Sequence, residues 1–369
     1  MKKGKPTFVD QLVRLGALVL LIALALGIVA GMWDPRKQKL IAFFGLAYPY
    51  ILLLNILMIV WWCFRGRWSF AFATLLLILT GWRSLTTTFG FIGTEGLGPK
   101  ADPDLIRVMT YNVHSFKPYG QENVEPVKQQ MLDLIEEENP DVICFQEYFT
   151  RRKGKFDITD SLKRILKNPY YYFVPSSEND YEATGLAIFS KYPIQDKGEI
   201  KFVNGWGNGS IFIDILVGKK TMRIYNVHLQ SISFDKQDYN YIDQVKQKMD
   251  PELYPSKRIL VMLRRAFLKR SAQVDVMKAH MATCKTPFLI AGDFNDTPAS
   301  YAVTQLTKSL KNTFKEQGTG FGKTYNGKFP NFQIDYIATT QDIDVMNYRI
   351  IGARLSDHFP VRSDLRLNP

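Results

Sequence analysis

The first hundred residues are built from long apolar runs, whereas the rest of the chain alternates short ones with changing period. Leu15 to Trp33 is uncharged and dense in Leu, Ala, Val and Ile. Leu40 to Phe64 is also uncharged and ends in Trp61-Trp62, while Trp68 to Trp82 is shorter and carries tryptophan at both ends. A bilayer core takes about 20 mainly apolar residues as a helix, and tryptophan suits its headgroup boundary. Membrane spans are therefore expected near residues 15–33, 40–64 and 68–83, within an anchor of residues 1–85. Lys2, Lys3 and Lys5 precede the first run as they would in a signal peptide. No small-x-small cleavage site follows, and two more apolar runs come directly after, which favours an uncleaved anchor. Residues 86–104, with four glycines and two prolines, read as a linker.

Beyond residue 105 the apolar period shortens. Ile106 to Tyr111 reads as a strand. Val124, Val127, Met131, Leu134 and Ile135 recur at helical spacing, with Pro126 in the first turn and Asn139-Pro140 beyond the end. Asp141 to Phe145 reads as a buried strand, and Asp157 to Lys167 as a helix stopped by Asn168-Pro169. Strands are expected at 184–190, 210–217, 221–227, 287–291, 332–338 and 361–365, with a long helix over 257–281. This alternation predicts an α/β (α+β) domain over residues 105–369 and leaves the strand order open.

Composition narrows the class. With 369 residues, 46% hydrophobic and 22% charged, the chain is neither a disordered tail, nor collagen-like, nor a disulfide miniprotein. Cys63, Cys144 and Cys284 match no zinc spacing and read as small buried hydrophobes. The net charge of +12 divides evenly, +6 up to residue 104 and +6 beyond it. With the N-terminus inside, Lys2, Lys3, Lys5, Arg14, Arg65 and Arg67 face the cytoplasm, against Arg36, Lys37, Lys39 and Arg83 outside. Three spans would then place the C-terminal domain outside the cytoplasm. On the long helix, Arg258, Arg265 and Lys269 share one face and Ile259, Leu263, Ala266, Phe267, Val274 and Met277 another. This reads as a sheet-packed helix with a solvated basic face. Arg270 falls on the apolar side and needs a buried acidic or carbonyl partner. Ser231 to Pro255 reads as a polar insertion, a lip over a site.

Six polar stations follow or end strand-like runs. They are Asn112, Glu147, His228, the Gly292-Asp293-Phe294-Asn295 turn, Asp335, and Asp357-His358. Strand-end loops are where scaffolds commonly place chemistry. Singly each has a plain reading: Asp-x-Asn is often a turn, a strand-end Glu a solvated rim residue, a lone His a structural group. Asp335 between Ile334 and Tyr336 is more telling, because a buried carboxylate needs a partner. Together they match metal-assisted phosphoryl hydrolysis. A hard divalent cation wants oxygen ligands, water needs a positioning carboxylate, and an anionic transition state needs amide and imidazole donors.

The ordered set resembles the endonuclease/exonuclease/phosphatase superfamily, the DNase I-like fold, over roughly Ile106 to Leu365. Thr184-Gly-Leu-Ala-Ile-Phe-Ser-Lys-Tyr-Pro-Ile is similar to that family's Gly…Ser-x-Tyr-Pro-Ile segment. The resemblance implies a four-layer sandwich, two mixed β-sheets face to face with helices outside. It also implies roles. Glu147 is the principal Mg²⁺ (or Mn²⁺) ligand, Asn112 neighbours it at the metal, and Asp357 ligates or supports a metal. Asp293 orients or deprotonates the attacking water, Asn295 and His228 hold phosphate oxygens, and Asp335 pairs with His358 as base or charged stabiliser. His228 stands where the abasic-site endonuclease branch favours Tyr, and Gln333 where the family is often basic. His114 reads as a surface or structural histidine. The expectation is a membrane-anchored, divalent-metal-dependent phosphohydrolase acting on a phosphate-ester substrate. Nuclease-like phosphodiester cleavage leads; a lipid phosphodiesterase of sphingomyelinase type, cleaving a lipid headgroup, and an inactive membrane-bound binding protein are the alternatives.

Overall fold

A computed structural model of the chain describes residues 8–93, 96–117, 124–167, 169–203, 207–232, 253–327 and 332–368, with residues 237 and 241. The proposed lip at Ser231–Pro255 lies almost wholly outside the described residues. The chain forms two compact units, Met1–Thr88 with Asp296–Gln305, and Phe89–Asn295 with Leu306–Pro369.

The first unit is helical. Helix α1 (Phe8–Val29) and α2 (Ile41–Phe64) are long and apolar enough to cross a bilayer. Helices α3 (Trp68–Thr80) and α4 (Trp82–Thr88) pass the same test only as a pair, bent by 77°. Asp296–Gln305 joins these helices through small residues: Thr297 Oγ1 donates to Gly45 O (3.2 Å) and Gln305 to Gly31 O (3.0 Å). The Arg83 guanidinium donates to Thr304 O at 2.9 Å.

The second unit holds two large sheets. Strands β1 (Phe89–Phe91), β2 (Ile106–Asn112), β3 (Val142–Arg151), β4 (Tyr170–Glu178), β5 (Glu182–Ser190), β6 (Ile194–Ile200), β7 (Gly209–Val217) and β8 (Lys220–His228) come first. They are followed by β9 (Phe288–Asp293), β10 (Lys311–Asn312), β11 (Thr319–Phe321), β12 (Asp335–Thr339), β13 (Ile343–Val345), β14 (Arg349–Ile350) and β15 (Val361–Leu367). One sheet runs β13-β15-β2-β3-β5-β4 with β14 on β15; the other runs β10-β12-β9-β8-β7-β6. Each has a single parallel pair at its centre, β2 with β3 and β8 with β9. Strand β1, inside the stretch that reads as a linker, pairs with β11.

Alternation along the strands makes the layers. Val108, Cys144 and Ile188 of the first sheet meet Ile213, Ile224, Leu289 and Ile337 of the second in one fully buried cluster. Each such side chain contributes roughly 1.5–3 kcal/mol when removed from water. The opposite face of the first sheet, with Tyr111, Ile143, Phe145 and Phe189, packs on α5 (Val124–Glu138) and α6 (Ile158–Ile165). Helix α7 (Leu253–Thr283) covers the second sheet, where Tyr225 meets His280. Short helices α8 (Tyr301–Leu306) and α9 (Thr313–Gln317) complete the chain. The architecture is thus the four-layer DNase I-like sandwich, preceded by two to three apolar helices.

The long helix has the amphipathic character expected of it. Leu263, Ala266, Phe267, Val274 and Met277 are buried, while Arg258, Arg265 and Lys269 are exposed. Arg270 is buried and donates to the carbonyl of Gln230 at 2.9 Å. Strands β1, β4, β6, β10, β11, β13 and β14 are additional to the sequence expectations.

Candidate active site

The polar stations sit where the two sheets meet at one end. Register alone aligns three of them. His228 ends β8 opposite Asp293, which ends β9, and Asp293 pairs with Asp335 at the start of β12. Asn112 ends β2 in the other sheet. Between the sheets, Gln146 Nε2 donates to Asn226 Oδ1 (2.6 Å), and Asn226 Nδ2 donates to Phe145 O and Ala187 O. These buried hydrogen bonds fix the strands that carry Glu147 and His228 relative to each other.

Glu147 reaches the site through a β-bulge. The β3–β5 register shifts between Phe145 and Tyr148, and Glu147 itself has φ 52°. Bulges commonly re-aim a side chain next to an active site. Left-handed backbone recurs at Asn295 (φ 53°) and at His114, Ser115 and Phe116 (φ 44°, 57°, 55°). Each such non-glycine residue costs on the order of 1–3 kcal/mol, and such strain clusters at functional sites.

Asp293 is the hub. Asn112 Nδ2 donates to its Oδ2 at 3.1 Å, and Asn295 donates to Oδ1 through its backbone N–H (2.8 Å) and to Oδ2 through its side chain (3.1 Å). The Nε2 atoms of His228 and His358 lie 3.5 and 3.6 Å from Oδ2. Behind His358, Nδ1 meets both oxygens of Asp335 at 3.0 Å. The ring is therefore clamped between two carboxylates, each 1% exposed. Ser356 Oγ, which the sequence reading passed over, donates to Asn112 O (2.9 Å) and contacts Asp357 Oδ1 at 3.1 Å. Its only signal was its place beside Asp357-His358.

The electrostatics follow from these contacts. Burial raises the Asp293 pKa above the usual carboxylate range, with Asp335 adding to it and the two imidazoles opposing. Burial disfavours an imidazolium at His358, but Asp335, Asp293 and Asp357 outweigh it and raise its pKa well above the ordinary value. Burial also works against the Glu147 carboxylate, yet the His114 hydrogen bond and the neighbouring imidazoles pull its pKa down to about 2. The hydrogen bond with Glu147 raises His114 in turn.

Two groups of potential ligands differ in access. Among the described residues, Asp293, Asp335 and His358 place ligand atoms within 4.8 Å of one another, all buried. His358 and Asp335 hydrogen-bond each other, and Asp293 accepts from Asn112 and Asn295. Glu147 and Asp357 instead keep 37% and 16% of their side chains exposed. Asn112 joins Glu147 through Nδ2 at 3.4 Å. This second group has the hard oxygen donors and the open edge that a divalent cation requires. The ring nitrogens of buried His228 have no hydrogen-bond partner among the described residues.

A two-sheet sandwich whose strand ends surround a carboxylate hub with amides and imidazoles holds the groups that hydrolysis of a phosphate ester calls on. Residues 109–358 match the model of the Endonuclease/Exonuclease/phosphatase family, and the chain belongs to that family, hydrolases of phosphoric ester bonds. Residues 10–88 match a domain of unknown function (DUF8431). Among solved structures, an endonuclease/exonuclease/phosphatase from Bacteroides vulgatus is similar at 18% identity and TM-score 0.51, over 72% of this chain and 99% of that one. One from Beutenbergia cavernae is similar at 18% identity and TM-score 0.50, over 72% of each chain. At these identities they speak for the fold. No curated protein matches the sequence.

Proposed function

We propose that the chain is a membrane-anchored, divalent-metal-dependent phosphodiesterase, nuclease-like in its chemistry. The observation that carries this reading is Asp293, held by Asn112 and Asn295 and facing the imidazoles of His228 and His358. A cation such as Mg²⁺ or Mn²⁺, held by Asn112, Glu147 and Asp357, would offset the negative charge that builds on the phosphoryl oxygens. Asp293 orients water and accepts its proton. Both amide donors of Asn295 are engaged, by Leu229 O and Asp293 Oδ2, so Asn295 sets the angle of that carboxylate. His228, whose ring nitrogens have no hydrogen-bond partner among the described residues, donates to a phosphate oxygen. His358, braced by Asp335, stabilises developing negative charge as an imidazolium.

The anchoring rests on α1, α2 and the bent α3–α4 pair; with that pair as a third span, the six-to-four count of flanking cations favours a catalytic unit outside the cytoplasm. Apolar helices of this length give a specific reason to carry a second substrate class, a lipid phosphodiester. The test is a substrate panel with full-length protein in detergent micelles and Mg²⁺ or Mn²⁺. DNA, RNA, sphingomyelin, glycerophospholipids and inositol phosphates are offered with and without EDTA. Metal-dependent cleavage of a nucleic acid supports the leading reading. Cleavage of a lipid alone moves the assignment to the second. Turnover of none of them, with the fold intact, leaves a binding protein.

A further inference from the structure

We propose that the ribbon formed by β1 and β11 lies in the headgroup layer of a phospholipid bilayer and holds the catalytic unit against it. The inference rests on the reading of α1 to α4 as a membrane anchor. The ribbon inverts the usual pattern. A strand pair packed on a domain in water turns its large apolar side chains inward and small or polar ones outward. Here Phe89 and Phe91 are exposed, Phe91 to 57%, and Gly90 between them is buried. A Cβ on Gly90 would collide with the carbonyl of Gly318, so the inner face leaves no room for a side chain. On the partner strand Phe321 stands opposite Phe89 and is 46% exposed. The rings of Phe89 and Phe91 lie 5.3 Å apart, and exposed Ile92 continues the apolar surface along the chain.

Chain continuity identifies what covers this face. Thr88, the last residue of α4, is bonded directly to Phe89. Three extended residues reach at most about 11 Å, so Phe91 lies within that distance of the end of the anchor. The headgroup layer on each side of a bilayer core is itself roughly 5–7 Å deep. Strand β11 pairs with β1 at a spacing of about 4.8 Å, so Phe321 is held beside it. A partner protein or a second copy of the chain would leave the start of the ribbon one residue after the anchor unexplained.

The neighbouring charges fit the same layer, where aromatic rings sink toward the acyl boundary and cations meet phosphate. Lys323 follows Phe321 by two residues and lines, with Phe321, Leu97 and Arg349, a cavity of about 440 Å³. Arg349 also donates to Glu138 at 3.0 Å, and no acidic residue is among the described residues lining that cavity.

The test uses full-length protein in phospholipid nanodiscs, carrying nitroxide labels read by power-saturation electron paramagnetic resonance against oxygen and a water-soluble nickel chelate. Cys63 and Cys284 are replaced by Ala, and buried Cys144 stays. Labels go one at a time on Phe91→Cys, Phe321→Cys, Leu54→Cys of α2, and Val203→Cys, 88% exposed on the catalytic unit. All four side chains are exposed, so labelling spares the core. Nickel accessibility at 91 and 321 should be lower than at 203 by about five-fold or more, because a polar chelate is excluded from an apolar layer. Oxygen accessibility there should approach that at 54. Nickel accessibility at either ribbon position equal to that at 203 overturns the inference, and lipid contact at 54 then leaves the anchor standing. Exclusion of both reagents from the ribbon labels, the mark of burial under protein, overturns it in favour of a second copy. Nickel access at 54 removes the anchor and the inference with it.

Discussion

At Asp335 and His358 one carboxylate both orients a ring and keeps it charged. Asp335→Asn retains shape and removes the charge behind Nδ1. It should lower kcat by about 10²–10⁴, the usual scale for a positioned acid–base group, with a smaller effect on KM. Steady-state kinetics on the best panel substrate checks this; unchanged kcat would take Asp335 out of the mechanism. A second buried pair concerns stability alone. Arg107 grips Asp364 at 2.7 and 2.9 Å, and both residues are buried. Burial pushes the Asp364 pKa up, but the hydrogen bonds and charge of Arg107 outweigh it and hold the pKa below the usual value. The folded pKa is depressed, so this contribution is present above the unfolded value of about 4 and fades as pH falls through the folded one. Removing one partner of such a pair costs about 3–5 kcal/mol. Asp364→Asn should therefore lower the melting temperature clearly at pH 7. The gap to wild type should narrow as the pH falls below the unfolded value of about 4, and a constant gap would refute the assignment.

The strands and turns that carry these residues depend on close backbone approaches. Gly292 has φ 143°, and a Cβ there would stand 2.0 Å from Val227 O on the neighbouring strand. Gly292→Ala should push β9 from β8, separate His228 from Asp293, and cost activity and stability together. Wild-type thermal stability and kcat in that variant would contradict the account. Gly31→Val belongs to the other unit, where Thr304 Oγ1 would lie 2.1 Å from the new Cβ. Overpacking of about 1–3 kcal/mol is expected, seen as a lower melting temperature in detergent. The buried central strands were legible because apolar residues are dense in them, in unbroken runs at Val142–Phe145 and Phe288–Ala291 and interrupted by single polar residues in β2 and β8. Strand β6 was not, since Ile194–Ile200 is a mostly exposed edge whose Gln, Asp, Lys and Glu face water. Strand β4 hid because Tyr170–Glu178 is half-exposed and lacks alternation. The polar stations were legible as a set and in order. The placement of His114 was not, because it depends on three left-handed residues that no glycine announces. Nor could spacing show that the donors of Asn295 turn toward Asp293 and Leu229.

For the whole molecule, the two units differ in what they expose. Leu15, Leu18, Val19 and Ile22 of α1 and Leu53, Leu54 and Leu57 of α2 are open to the surroundings, as lipid-facing residues are. The protein should therefore stay with the membrane fraction at high salt and alkaline pH and require detergent for release; appearance in the soluble wash would contradict anchoring. The central claim concerns the other unit: strand ends from both sheets build one hydrolytic centre around Asp293. The most direct measurement is the initial rate of phosphodiester hydrolysis by full-length wild type and Asp293→Asn, each with Mn²⁺ and each shown folded by circular dichroism. The account predicts metal-dependent turnover in the wild type and a loss of about 10³-fold or more in the variant. A folded Asp293→Asn protein within two-fold of wild type would contradict it.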